Sequence, residues 1–224
     1  MASQQTFQVT TGGEDYVDRT IQVLTPAFKD NPIYTWLLHH FPLSEHRSVL
    51  PKLFRAFLTQ GSLNSGLFVE VDDFGCCGLL MPPGAEIENP WTLLQADLIP
   101  ALFTIGLRSF KRALLDYPGA VELEKEFTKE EQENHWYIFI MRINVDQRRR
   151  GLAGAFLEAM QGWARRDKRP IWLEATTTLS RDLYLKDGFT AIGEVVVGRG
   201  SVGPDGLPKD GGEGVTIWSM CWRP

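Results

Sequence analysis

The chain has 224 residues, of which 43% are hydrophobic and 23% are charged, an ordinary composition for a globular protein that can bury a sizeable core. Its formal net charge is −5, whereas proteins that read nucleic acid usually present a basic surface to the phosphates, so we expect no nucleic-acid partner. We also expect no metal and no membrane span, because no Cys/His spacing suits zinc and the most apolar stretch is far shorter than the roughly 20 residues that a spanning helix needs.

The N-terminal part of the sequence predicts two amphipathic helices. Apolar residues recur at helical spacing over residues 14–28 and again over residues 44–59. The triplet Asp30-Asn31-Pro32 breaks the pattern between them. We expect Ser44 to be the N-cap of the second helix, and Pro51 is compatible only with a first turn.

A β-hairpin and an apolar helical segment follow. The runs at 66–70 and 75–81 favour strands, and the turn residues Asp72-Asp73 lie between them. Residues 90–117 read as helical with a break near Pro100, either as helices that cover the core or as a wall of a substrate pocket.

Strands and helices alternate in the second half of the chain. In order, we predict a strand at 135–143, a helix at 151–166, a strand at 170–175, a short helix at 180–186, and strands at 191–197 and 215–221. Gly188 suits a helix C-terminus, and residues 198–214 are rich enough in Gly, Pro and Asp to form a long loop. This order predicts one mixed α/β (α+β) domain over residues 1–224, built around a single sheet.

The cysteines and the N-terminal residues indicate the cellular compartment in which we expect the protein. An odd number of cysteines, two of them adjacent at Cys76 and Cys77, does not suggest a disulfide framework, so we expect these two and Cys221 to be small buried strand residues. The first ten residues lack the basic start and apolar run of a signal peptide. We therefore expect a soluble, cytoplasmic protein.

The segment Asn144–Gly154 carries the main functional signal. It lies between a predicted strand and a predicted helix, with small residues at Gly151, Ala153 and Gly154 where the helix begins. Such a turn presents free backbone N–H groups at the positive end of the helix, where a pyrophosphate can bind. The arginines at 148–150 add positive potential. The alternative is plain strand–helix packing with solvated arginines.

The same segment resembles the R/Q-x-x-G-x-G/A signature of GNAT acetyltransferases, read here from Arg148 through Gly151 to Ala153. Further segments, which together reach from His135 to the C-terminus, resemble the puromycin-acetyltransferase-like group: His-Trp-Tyr-Ile at 135–138, Ile-Asn-Val at 143–145, Leu-Glu-Ala at 173–175, Tyr-Leu-Lys-Asp-Gly-Phe at 184–189 and Ile-Trp-Ser-Met at 217–220. The chain departs from the family pattern where Val145 replaces a usual proline and Arg149 an often-present glycine.

This resemblance implies a fold and a cofactor site. The expected fold is a central mixed, mostly antiparallel sheet with splayed strands, flanked by helices, with a cofactor-binding core at about residues 135–190. Acetyl-CoA is the expected co-substrate, with its pantetheine arm paired to the strand end and its pyrophosphate on the amides of the turn. The residues assigned to cofactor binding in this way are Ile143, Asn144, Val145, Arg148, Arg149, Arg150, Gly151, Leu152, Ala153, Gly154 and Ser180.

The resemblance also implies direct transfer of the acetyl group to an amine, with Tyr184 as the general acid that protonates the departing thiolate. The general base stays open between two residues. His135 has an unperturbed pKa of about 6.5 and would share a strand face with Glu133 and Tyr137 if that strand began early enough. Glu174 on the next strand is the alternative, since partial burial can raise a carboxyl pKa. All three site residues could instead be purely structural.

Three functions compete at this stage. The first is an N-acetyltransferase for a small-molecule primary amine, monomeric or homodimeric. The second is a protein or peptide N-acetyltransferase, which would need an open groove, whereas the apolar segment 91–115 and the loop around Pro204 favour a closed pocket. The third is a non-catalytic acyl-CoA-binding module, which remains an alternative because fold alone does not decide function. The presence of Tyr184 at the general-acid position argues against it.

Overall fold

The computed structural model of the chain describes residues 6–39, 41–85, 87, 92 and 127–224. Seven strands form one sheet in the order β1-β2-β3-β4-β5-β7-β6. The strands are β1 Val9–Gly12, β2 Leu67–Val71, β3 Cys76–Met81, β4 Trp136–Ile143, β5 Ile171–Ala175, β6 Thr190–Val197 and β7 Val215–Trp222. Every neighbouring pair is antiparallel except β4 and β5, which are parallel. The predicted mixed, mostly antiparallel sheet is therefore confirmed.

Helices cover both faces of this sheet. In the described part of the chain the α-helices are α1 Val17–Phe28, α2 Pro32–Leu37, α3 Leu43–Leu63, α4 Lys129–Glu133, α5 Leu152–Asp167 and α6 Thr178–Lys186. Helices α1 and α3 bury their apolar sides against Phe68, Leu79 and Ile140 on one face. Helix α5 buries Phe156 and Met160 on the other face. The helical periodicity found at 14–28 and 151–166 is confirmed, since it marks these buried sides.

The prediction for the start of α3 was wrong. The helix begins at Leu43 with Pro42 as its N-cap, so Ser44 lies inside the first turn and caps nothing. Pro51 lies in the interior of the helix rather than in its first turn. A proline there removes one backbone hydrogen bond, but burial of flanking residues such as Leu50 and Phe54 stabilises the helix, because tertiary packing outweighs local propensity.

Three short elements had no counterpart in the sequence analysis. Strand β1 is only four residues long and pairs with β2 at the sheet edge. Helix α2 begins where Asn31-Pro32 suggested only a break: the Asn31 side chain accepts a hydrogen bond from the Ile33 amide (3.1 Å), and Pro32 is the first helical residue. Helix α4 contains Glu133 and β4 begins just after His135, so of the three residues expected on one strand face only Tyr137 lies in the strand.

The predictions for the hairpin and for the cysteines are confirmed, whereas the prediction for residues 90–117 falls largely outside the described residues. Residues 66–81 form the expected hairpin, and all three cysteines are buried and unbridged. Apart from Thr92, the predicted helical segment at 90–117 lies outside the described residues. Within the described ranges, no helix combines the length and apolar character needed to cross a membrane.

Candidate active site

The central feature of the site is a gap between the two parallel strands. Strands β4 and β5 pair at only three positions, the last of which joins Ile138 to Leu173, although β4 continues to Ile143 and β5 to Ala175. On its other side, β4 has an extra residue, Phe139, opposite β3. A bulge of this kind bends its strand, so β4 diverges from β5 and the gap opens at the carboxyl ends of both strands.

The turn that follows β4 lies at the mouth of this gap and presents unpaired amides. Gly151 is the N-cap of α5 with φ 88°, and no side chain caps the helix. The first amides of a helix have no intrahelical partner. Leu152 and Ala153 bury their side chains, and the space above the α-carbon of Gly154 is open. This backbone can approach an anion closely, as the sequence predicts.

The three arginines of the turn differ in their surroundings. Arg150 donates to Oε1 of Gln147 (2.6 Å) and to Oδ2 of Asp72 (2.8 Å), so its charge is paired and it ties the turn to the β2–β3 hairpin. Arg148 and Arg149 are exposed, and no ion pair joins either of them to the described parts of the chain. The predicted positive potential at the turn therefore comes mainly from these two residues.

Tyr184 lies on the α5 side of the sheet. Its ring is buried among residues of α5 and β5 and contacts the ring of Phe189 at 5.6 Å between centroids. Burial raises the pKa of the Tyr184 phenol above its ordinary value, while nearby Arg142 acts in the lowering direction. The phenol is therefore protonated at neutral pH and has a proton to donate.

Glu174 projects from the opposite face of β5, since it alternates with Leu173 and Ala175, which pack beside Tyr184. Its Oε2 accepts a hydrogen bond from the Tyr137 hydroxyl (2.9 Å), and its Oε1 accepts one from Nε1 of Trp172 (2.6 Å). These two donors fix the carboxylate in place. Its charge also acts in the raising direction on the pKa of Tyr184, behind burial, which is the main cause.

His135 occupies a different place. It precedes the first residue of β4, at the end where β4 and β5 are still paired. Its Nδ1 lies 3.0 Å from the carbonyl oxygen of Glu131 and 3.1 Å from that of Gln132, and its ring meets Phe127 edge-on. Because carbonyl oxygens only accept, Nδ1 carries the proton. These contacts anchor α4 to the strand, away from the gap.

The other predicted cofactor residues have mostly local hydrogen bonds. Asn144 caps the turn Val145–Gln147 through its side chain and donates its amide to the Gly75 carbonyl oxygen (2.8 Å). Ser180 forms a capping box with Thr177 at the start of α6, so the structure gives its hydroxyl a role in the helix. The contact of Ser180 with a cofactor stays a prediction, as do those of Ile143 and Val145.

Three groups had no role assigned to them from the sequence: the Arg142 guanidinium, the Tyr137 hydroxyl, which bonds Glu174, and Tyr34. Arg142 belongs to β4, and its guanidinium carbon lies 4.3 Å from the ring centroid of Phe28 on α1. Tyr34, on α2, packs against the same ring. A signal for the first was available, because an arginine inside an otherwise apolar strand has to be stabilised by a specific partner.

Comparison with known proteins agrees with this geometry. No protein-family model matches the chain. An uncharacterized N-acetyltransferase of Schizosaccharomyces pombe is 22% identical over 177 residues, which cover 79% of this chain and 71% of the relative. Among solved structures, the histone acetyltransferase HPA2 and related acetyltransferase of Corynebacterium glutamicum is 19% identical, with 98% of this chain and 97% of that chain covered and a TM-score of 0.59.

Arylalkylamine N-acetyltransferase 2 of Aedes aegypti is 16% identical, with 98% of this chain and 99% of that chain covered and a TM-score of 0.59. These likenesses, together with the gap between β4 and β5, show that the chain has the fold of GNAT-type N-acetyltransferases.

Proposed function

We propose that the chain is an N-acetyltransferase that transfers the acetyl group of acetyl-CoA directly to the primary amine of a small molecule. The observation that carries the proposal is the gap beyond Ile138 and Leu173, with the protonated phenol of Tyr184 on one side and the fixed carboxylate of Glu174 on the other. In this proposal residues 1–224 form a single cytoplasmic domain, monomeric or homodimeric, of the puromycin-acetyltransferase-like group.

The residues around the gap suit coenzyme A. The amides of Leu152, Ala153 and Gly154 would hold its diphosphate, since they have no side-chain cap and point out of the positive end of α5. The edge of β4 beyond Ile138 has no β5 residue beside it, so main-chain groups at Ile143 are available to pair with the amides of the pantetheine arm. Acetyl-CoA would supply the reactive thioester.

The two side chains divide the proton transfers between them. The amine nitrogen forms a bond to the thioester carbon, and the carbon–sulfur bond breaks with its electron pair going to sulfur. A protonated alkyl amine cannot attack, so Glu174 would first take that proton, directly or through a water molecule. Tyr184 would give its proton to the sulfur, and the proton that the nitrogen loses as the acetamide forms would return to the phenol through water. The products are an acetamide and a free thiol, so atoms and charge balance.

The acceptor side of the gap supports a small molecule more than a peptide. The loop at 198–214 packs on α2, where Val202 and Trp36 belong to one buried cluster. A side chain at Gly206 would collide with the Pro32 carbonyl oxygen, so the loop lies close against the start of this helix. Asn31 also joins α2 to the end of β5 through Thr176 (3.0 Å). We infer that these contacts, the last of which lies one residue beyond the end of β5, close one side of the mouth.

The proposal is tested by mixing the protein with acetyl-CoA and a panel of small amines and peptides, and by following the release of free thiol. Turnover of small amines supports the proposal. Turnover of peptides alone would favour a protein N-acetyltransferase, which is how the Corynebacterium structure is named. Tight binding of acetyl-CoA without any turnover would favour a non-catalytic acyl-CoA-binding module, and the absence of binding would overturn all three.

A further inference from the structure

Arg142 carries a positive charge that has no partner in the described ranges of the chain. Its Nε is buried and makes no hydrogen bond, and no carboxylate forms an ion pair with its guanidinium there. The ring of Phe28 lies beneath it, which gives a cation–π contact but accepts no N–H in the guanidinium plane. The residue as a whole is only partly buried, so the rest of the guanidinium stays accessible, and an arriving anion could bond to its unpaired N–H groups.

The position of Arg142 indicates which molecule brings that anion. The residue lies in the part of β4 that has separated from β5, and its side chain extends to the α1 side of the sheet, onto Phe28. Burial lowers its pKa, and Arg148 acts in the same direction, while the phenols of Tyr184 and Tyr34 act against this. No carboxylate is among these neighbours, and none in the described ranges forms an ion pair with the guanidinium.

The cofactor is the less suitable source of the anion. Its proposed diphosphate site is the first turn of α5, and α5 packs on the opposite face of the sheet from α1. Arg148 and Arg149 are exposed beside that turn and can serve the diphosphate there. Arg142 instead shares its face with Glu174 and Tyr137, where the proposed amine would arrive.

We propose that Arg142 binds a carboxylate of the acceptor, so that the substrate class is an amine that also bears a carboxylate, such as an amino acid. This inference rests on the proposed acetyltransferase function. A guanidinium binds a carboxylate through two parallel N–H···O bonds, which would orient the amine toward the gap. The same charge repels acceptors that carry a second cation.

The test uses matched pairs of acceptors: α-, β- and γ-amino acids, each compared with its own methyl ester. For the wild-type protein we expect kcat/KM to be roughly 10- to 100-fold higher for the acid than for the ester in at least one pair, the range typical of hydrogen bonds to charged groups. Arg142→Met should abolish this ratio, with little change for the ester and none in the KM for acetyl-CoA. Arg142→Lys should keep part of it.

Arg166→Met serves as the matched control, because this arginine is exposed at the far end of α5. It should leave the acid-to-ester ratio unchanged. Thermal melting checks the fold: Arg142→Met removes an unpaired charge and should melt no lower than wild type.

An acid-to-ester ratio near one in the wild-type protein would overturn the inference. So would an Arg142→Met variant that binds acetyl-CoA more weakly but keeps the ratio, since this result assigns Arg142 to the cofactor. If no amine is turned over, the proposed function fails separately. In that case the same amino acids are titrated calorimetrically into wild-type and Arg142→Met protein, each saturated with coenzyme A. Binding by the wild type that is lost in Arg142→Met supports the carboxylate contact. Equal binding by the two proteins, or no binding by the wild type, contradicts it.

Discussion

Glu174 and Tyr184 lie on opposite faces of the sheet, beside the point where β4 separates from β5. A carbonyl group held in that gap would meet a proton acceptor on one side and a proton donor on the other. Because the amine loses a proton and the sulfur gains one, this arrangement lets both transfers occur without a side chain crossing the sheet. The relationship leads to separate predictions for the two residues.

Replacement of Tyr184 by phenylalanine should lower kcat by about 100-fold, the lower end of the usual range for a general acid, with little change in the affinity for acetyl-CoA. The ring stays buried against Phe189, so the fold should be preserved. A thiol-release assay measures kcat, and calorimetric titration measures the affinity for acetyl-CoA. Tyr16→Phe is the control, since this phenol bonds Thr10 (2.9 Å) outside the site. A Tyr184→Phe variant with wild-type kcat would contradict the assignment.

Replacement of Glu174 by glutamine should lower kcat by about 100-fold for alkyl amines, because the positively charged nitrogen would lose its proton acceptor. Glutamine retains an oxygen acceptor for Tyr137 or Trp172, so the local geometry should change little. Amines of low pKa, which are already neutral, should lose much less activity. The dependence of kcat on amine pKa in both proteins measures this.

His135→Gln is the comparison that decides between the two candidate bases. Since the imidazole bonds backbone carbonyls of α4, its loss should lower the melting temperature more than it lowers kcat. The opposite pattern, with normal kcat in Glu174→Gln and a large loss in His135→Gln, would assign the base to His135.

The three cysteines should be nearly unreactive in the folded protein. Burial raises the pKa of Cys221 to about 11 and that of Cys77 to about 12, and it also raises the pKa of Cys76. The thiolate is the reactive form, so iodoacetamide labelling at pH 8 should be slow, rise as the pH approaches these values, and reach three sites only after denaturation. Rapid labelling of one cysteine at pH 8 in the native protein would contradict this.

The main elements of the fold could be predicted because burial leaves a periodic signal in the sequence. The alternation and helical spacing at 66–81, 135–143 and 151–166 correspond to β2, β3, β4 and α5. Elements held by pairing or caps leave almost no such signal. Strand β1 exists because it pairs with β2, and α2 depends on the side chain of Asn31, which also suits a turn.

The site was predictable where a motif determines the backbone and not where packing places a side chain. The positive φ of Gly151 and the uncapped first turn of α5 follow from small residues in sequence. Arg142 enters the site because the bulge at Phe139 changes which face each later residue of β4 occupies. No local pattern reveals that shift. The conditional placement of Glu133 on the strand face fails for a different reason, because residues 129–133 form α4.

The central claim, that the first turn of α5 holds the diphosphate of coenzyme A, is tested most directly by calorimetric titration of acetyl-CoA into three proteins. Gly154 and Gly162 both lie in α5 with open space above the α-carbon, so glutamine at either position should be accommodated and favour the helix. We expect Gly154→Gln to raise the Kd at least about tenfold, a loss of about 1.4 kcal/mol, and Gly162→Gln to leave it unchanged. Equal affinities in all three proteins, or no binding by the wild type, would contradict the claim.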